Sequence, residues 1–156
     1  MKIELKKISN THHLLRCTRD DGTVEEATLE TKSLLVHDLT HLAYERERGL
    51  QKSFWGLVAG GVTFQALRGA MEPDKPTDFT ELAETEGFVG PLQGVMLGRV
   101  TARDFVLGFS QHLAVQNEKT PEWMTMDFVL RVQARFNAFY GEWKALPFAR
   151  VMTIDW

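Results

Sequence analysis

The sequence predicts an α+β fold, in which an antiparallel sheet of three N-terminal strands plus a C-terminal strand packs against a helical bundle. Three observations carry that expectation. Polar and apolar residues alternate in the N-terminal segment, apolar residues recur at helical spacing between Thr31 and Trp143, and a β-branched and aromatic run closes the chain. Strands first, helices next and a returning strand give an α+β order, unlike the βαβ alternation of a nucleotide-binding sheet.

Ile3, Leu5 and, after a slip, Ile8 mark a first strand from Lys2 to Ile8 with a bulge. A second strand from about His12 to Arg19 and a third from about Val24 to Glu30 flank Asp20-Asp21-Gly22-Thr23, whose Asp-Gly pair suits a tight hairpin. Thr31 or Ser33 then caps a helix that runs to about Arg48 and stops at Gly49. A second helix starts near Ser53 and carries Phe54, Trp55, Leu57, Val58 and Phe64, with Gly56, Gly60 and Gly61 implying close packing against a neighbour.

The stretch Met71 to Asp78 contains Pro73 and Pro76 and reads as a loop, with Thr77 or Asp78 capping a short acidic helix to about Glu86. Gly87, Gly90, Gly94 and Gly98 punctuate the following segment. Thr101 caps a helix to about Asn117, and Thr120-Pro121 opens a long helix to about Trp143. Beyond the break at Pro147, Val151, Thr153, Ile154 and Trp156 mark the strand that returns to the sheet.

At 156 residues, 44% hydrophobic and 25% charged, the chain has the size and balance of one globular domain spanning 1–156. Its 18 basic residues are scattered among 21 acidic ones for a formal charge of -3, which argues against nucleic acid or an anionic membrane as partner. Met1 opens a polar, strand-like stretch, and the apolar run Leu57 to Val62 falls far short of the roughly 20 residues that span a bilayer. The expectation is therefore neither export nor membrane insertion. Cys17, alone, permits no intrachain disulfide or four-cysteine zinc module, which points to a reducing, cytoplasmic compartment. Any metal must then be held by histidine and carboxylate.

The segment with chemical content is His37-Asp38-Leu39-Thr40-His41. At about 100° per residue, His37, His41 and Glu45 form one stripe, because residues four apart are neighbours on a helix surface. Leu35, Leu39, Leu42 and Ala43 lie nearly opposite, so core burial does not require the histidines. Leu34 and Tyr44 share the histidine side, which implies that the helix is covered on both faces. Two imidazoles and a carboxylate suit a divalent metal, zinc first, with Glu45 as third ligand and Asp38 orienting an imidazole from behind. Where zinc peptidases carry a glutamate after the first histidine this chain has Asp38, one methylene shorter, which argues against peptidase chemistry.

The motif His37-Asp38-Leu39-Thr40-His41 resembles the HDxxH motif of the zinc-associated protein family required in ubiquinone biosynthesis. The resemblance implies that both histidines, with Asp38, hold a metal. That family carries a further glutamate downstream, where this chain has Ser53. The wider segment His37 to Phe64, with Phe54-Trp55-Gly56, is similar to one found in uncharacterised small bacterial proteins.

The competing reading is a metal-free interaction or small-ligand-binding protein, in which the imidazoles are incidental and Glu45 pairs with Arg48 or another charge. His12, His13 and His112 are further candidate ligands, although strand alternation sends His12 and His13 to opposite faces and a structural role suits each better. Glu84 and Glu86 read as solvated helix residues, and Cys17 as a small buried one. Phe128, Val132, Phe136, Phe139 and Trp143 form an aromatic stripe that suits the core, or else a homodimer surface with Arg131 and Arg135 at its rim. The catalytic residues, the reaction and the small-molecule ligand stay open at this level.

Overall fold

Alternation in the N-terminal sequence becomes a sheet with one dry face and one wet one. The computed structural model describes residues 1–68 and 79–156; the expected loop Met71 to Asp78 and the caps Thr77 and Asp78 lie outside them. Among the described residues, β1 (Lys2–Lys7), β2 (His12–Thr18), β3 (Val24–Glu30) and β4 (Val151–Asp155) form an antiparallel sheet in the order β3-β2-β1-β4. The register sets Ile3 opposite both Cys17 and Ile154, and Leu5 opposite Leu15 and Met152, so these side chains share the buried face. The other face is polar, with Arg16 between Glu4 and Glu26 at 3.8 and 3.3 Å. The α+β expectation holds, including the return of the last strand to the edge of β1.

The hairpin between β2 and β3 turns through three residues and not two. Arg19 N–H bonds to the Thr23 carbonyl, and Gly22 takes a φ of +85°, the left-handed position such loops require.

After β3 the chain makes a π-helical turn, Thr31–Leu35, that runs directly into α1 (Val36–Arg48). The expected caps, Thr31 and Ser33, therefore lie inside the helical path; the Glu30 carboxylate accepts from Ser33 N–H at 3.1 Å instead. Gly49 ends α1 at a φ of +69°, as its position predicts. The single helix expected from Ser53 breaks at Gly60 and Gly61, the latter at φ +101°, into α2 (Phe54–Ala59) and α3 (Phe64–Arg68).

The next helix is longer than its glycines suggest. α4 (Thr80–Met96) runs through Gly87, Gly90, Pro91 and Gly94, where the sequence reading ended a short helix at Glu86. Leu82, Val89, Leu92 and Val95 are all buried, and packing of that stripe outweighs the roughly 1 kcal/mol that each glycine costs. α5 (Ala102–Val115) is capped by Thr101 as expected, whereas α6 (Met126–Ala145) starts later than Pro121 because Thr125 accepts the Phe128 N–H.

α1 is the axis of the helical layer and packs against α2, α4 and α6. Its buried residues run around the whole circumference, from Leu39 and Leu42 to His41, Tyr44 and Glu45. The aromatic stripe of α6 faces this core, with Phe128, Val132, Phe136 and Trp143 buried, and Arg131 and Arg135 pair with Glu47 of α1. No described helix is long and apolar enough to cross a membrane.

Gly56 is where the backbone leaves no room for a side chain. A Cβ there would overlap the backbone of Gln51, meeting its Cα at 2.8 Å. Gly56→Ala is expected to lower stability by about 2 kcal/mol, read as a shifted urea midpoint, while Gly87→Ala, with open space around it, costs nothing or stabilises.

Candidate metal centre

The site begins with the four-residue spacing of α1, which stacks the His37 and His41 rings at 4.7 Å between centroids. His41 is buried, and its Nδ1 lies 2.9 Å from Glu45 Oε1, one turn further along the helix. The second oxygen of Glu45 accepts the backbone N–H of Trp55 at 2.9 Å, so a fully buried carboxylate ties α1 to the start of α2. With Glu45 accepting from Nδ1, the neutral form of the ring keeps its proton there and turns Nε2 toward α4 as the side able to ligate.

Glu86 of α4 stands on the Nε2 side. Its Oε1 is 3.1 Å from His41 Nε2 and its Oε2 is 3.4 Å from His37 Nε2. His41 Nε2 is nevertheless without a hydrogen-bond partner, because its approach to Glu86 lacks hydrogen-bond alignment. Ligand atoms of His37, His41 and Glu86 all lie within 4.8 Å of one another, the group with metal-ligand spacing among the described residues. Around a zinc ion with bonds of about 2.1 Å, tetrahedral ligands sit about 3.4 Å apart.

The sequence reading brought His37 and His41 together and placed Glu45 as the third ligand. In the fold, Glu45 faces Nδ1 of His41 and supports the ring from behind, and Glu86 occupies the ligand side. Glu86 is therefore not the solvated residue that its acidic neighbourhood implied; Glu84, two positions earlier, is exposed. Asp38 lies beside the Nδ1 of His37, with Oδ1 at 3.7 Å, and its Oδ2 is buried without a partner.

The remaining candidates are elsewhere. His13 points inward but meets Thr31 and the edge of Trp143, His12 is exposed, and His112 contacts Gln116 on the surface. Cys17 is buried under the sheet, where burial pushes its thiol up to about 12.

The carboxylates dominate the electrostatics. Asp38 and then Glu86 raise His37 to about 9, against the opposing effect of burial. Burial disfavours charge on His41, but Glu45 and Glu86 together outweigh it and raise its proton affinity. Burial likewise opposes the charge on Glu86, and the two imidazoles overcome this and hold the carboxyl well below its usual range.

No protein-family model matches this chain, and neither a curated protein nor a solved structure matches it.

Two predictions follow from this geometry. Glu45→Leu strands the His41 Nδ1–H and the Trp55 N–H together and is expected to cost about 2–4 kcal/mol in chemical denaturation, whereas Glu45→Gln, which keeps an acceptor, costs about 1 kcal/mol.

The second concerns pH. The folded pKa of His37 is raised from 6.5, so its contribution to the metal-free protein is complete below pH 6.5 and lost as pH rises through about 9. The folded pKa of Glu86 is depressed from 4.5, so its contribution is present above that value and lost as pH falls below it. With His37 a third exposed, the loss on the alkaline side is expected to be about 1 kcal/mol. Urea midpoints measured in chelator between pH 6.5 and 9.5 should fall for the wild type and fall less for Glu86→Gln, in which Asp38 alone still raises His37.

Proposed function

We propose that the protein binds one divalent metal ion through His37, His41 and Glu86, with Glu45 fixing the His41 ring and Asp38 beside His37. The observation that carries this reading is His41 Nε2. It is a buried nitrogen, oriented by a buried carboxylate at its other ring position, 3.1 Å from Glu86 Oε1 and unaligned for a hydrogen bond. A metal ion between Nε2 and Glu86 Oε1 would turn this misaligned contact into two direct bonds.

The donor set supports a transition metal over calcium or magnesium, which favour oxygen ligands. Two imidazoles and one carboxylate suit zinc in a site with an open fourth position, and the same set accommodates ferrous iron. Three protein ligands leave room for a water or a small molecule. Glu45 has the role commonly taken by carboxylates behind metal-bound histidines, which is to hold the tautomer and raise the basicity of the ligand nitrogen.

Elemental analysis of untagged protein tests this. The expected result is near-stoichiometric zinc or iron in the wild type, loss of at least nine-tenths of it in His37→Ala/His41→Ala and in Glu86→Gln, and a far-ultraviolet spectrum unchanged throughout. Glu45→Gln should keep the metal with affinity about 10–100-fold weaker. Absence of metal in the wild type after reconstitution with zinc and with ferrous iron would sink the proposal.

A further inference from the structure

Two members of the triad, His37 and Glu86, form part of the wall of a cavity of about 360 Å³ between the sheet and the helices. This volume is within the range typical of small-molecule sites, about 300–1,000 Å³. Leu15, Ala27 and Leu29 line it from the sheet, and Phe54, Phe64 and Leu82 from the helices. The polar groups in the wall are His37, Asp38 and Glu86, side chains that converge on the HDxxH helix and its partner α4.

A cavity built this way discriminates by the position of polarity. An ionic or many-hydroxyl molecule would leave most of its polar groups against leucine and phenylalanine, at a cost of about 1–3 kcal/mol for each one unpaired. A pure hydrocarbon would fill the apolar part but offer nothing to His37, Asp38 and Glu86 at the cavity's polar end. The Asp38 carboxylate in the wall can accept from a donor, and a metal with three protein ligands takes a further lone pair. One hydroxyl group supplies both.

We propose that this cavity binds a small, largely apolar molecule bearing a single alcohol or phenol hydroxyl, its oxygen directed to the open metal position and its proton to Asp38. The inference rests on the metal reading above. His37, in the cavity wall, has a side chain that is a third exposed.

The test uses cobalt(II) as the metal and 1-naphthol as the probe, with naphthalene as its partner lacking the hydroxyl. Cobalt uptake is measured first, without the probe. Failure to take up cobalt brings down the metal reading, and the oxygen contact with it. In the loaded protein, 1-naphthol is expected to bind with one-to-one stoichiometry, to change the visible cobalt spectrum, and to bind at least tenfold more tightly than naphthalene. Ala27→Phe and Leu67→Phe place bulk in the cavity without touching a ligand, and each folded variant should keep its cobalt and lose at least tenfold in naphthol affinity. Asp38→Leu should reduce the preference for naphthol over naphthalene. Cobalt uptake with no naphthol binding, with naphthol no tighter than naphthalene, or with an unchanged cobalt spectrum overturns this inference alone, and the wild-type titrations suffice to show it.

Discussion

The local structure around the site depends on one carboxylate. Glu45 is buried on α1, and its two oxygens accept from His41 Nδ1 and from the Trp55 N–H at the start of α2. A buried carboxylate is costly to desolvate, and only a full set of partners makes it tolerable. Those partners fix two things together. The His41 ring is held so that Nε2 faces α4, and Trp55 is seated at the base of α2 with its indole N–H reaching the Asp38 carbonyl at 3.3 Å. Phe54, next in line, lies 5.7 Å from the His41 ring and lines the cavity. The same interaction therefore orients a ligand nitrogen and positions a wall of the pocket.

Charge balance around that nitrogen makes the cluster suited to a cation. Glu45, Glu86 and Asp38 bring three negative charges to two imidazoles. Two protons on the histidines, or one dication between them, offset the same amount. The raised proton affinity of both histidines and the depressed pKa of Glu86 express that demand for positive charge in the metal-free protein. A divalent metal under the proposed reading would compete with protons for the same nitrogens and would release them on binding.

Elements with strong local signals were legible in the sequence. The alternation of β1 to β3, the Asp21-Gly22 turn and the Gly49 stop depend on neighbours in the chain, and the fold honours each of them. Glycine was read too literally in α4, because the burial of Leu82, Val89, Leu92 and Val95 is a tertiary effect that no local propensity contains. The same limit separates Glu45 from Glu86. A helical wheel finds neighbours on one helix, so it selects Glu45, four residues from His41; it cannot bring α4 alongside α1. A signal for Glu86 was present all the same. It lies four residues after Leu82 and three before Val89, on the flank of the apolar stripe of α4, a position where an acid is not simply solvated.

That flank position gives the site its chemical asymmetry. On one side of the triad α1 supplies Glu45, which is dry and fully paired. On the other, Asp38 and His37 face a cavity whose remaining surface is mostly hydrocarbon. In such surroundings each charge is weakly screened, so His37, Asp38 and Glu86 would act on a polar group there more strongly than they would in water. The apolar wall and the polar cluster are therefore not separate features. Such a wall would make the few polar groups selective, because a guest with more polarity than they can satisfy would meet the leucines and phenylalanines around them.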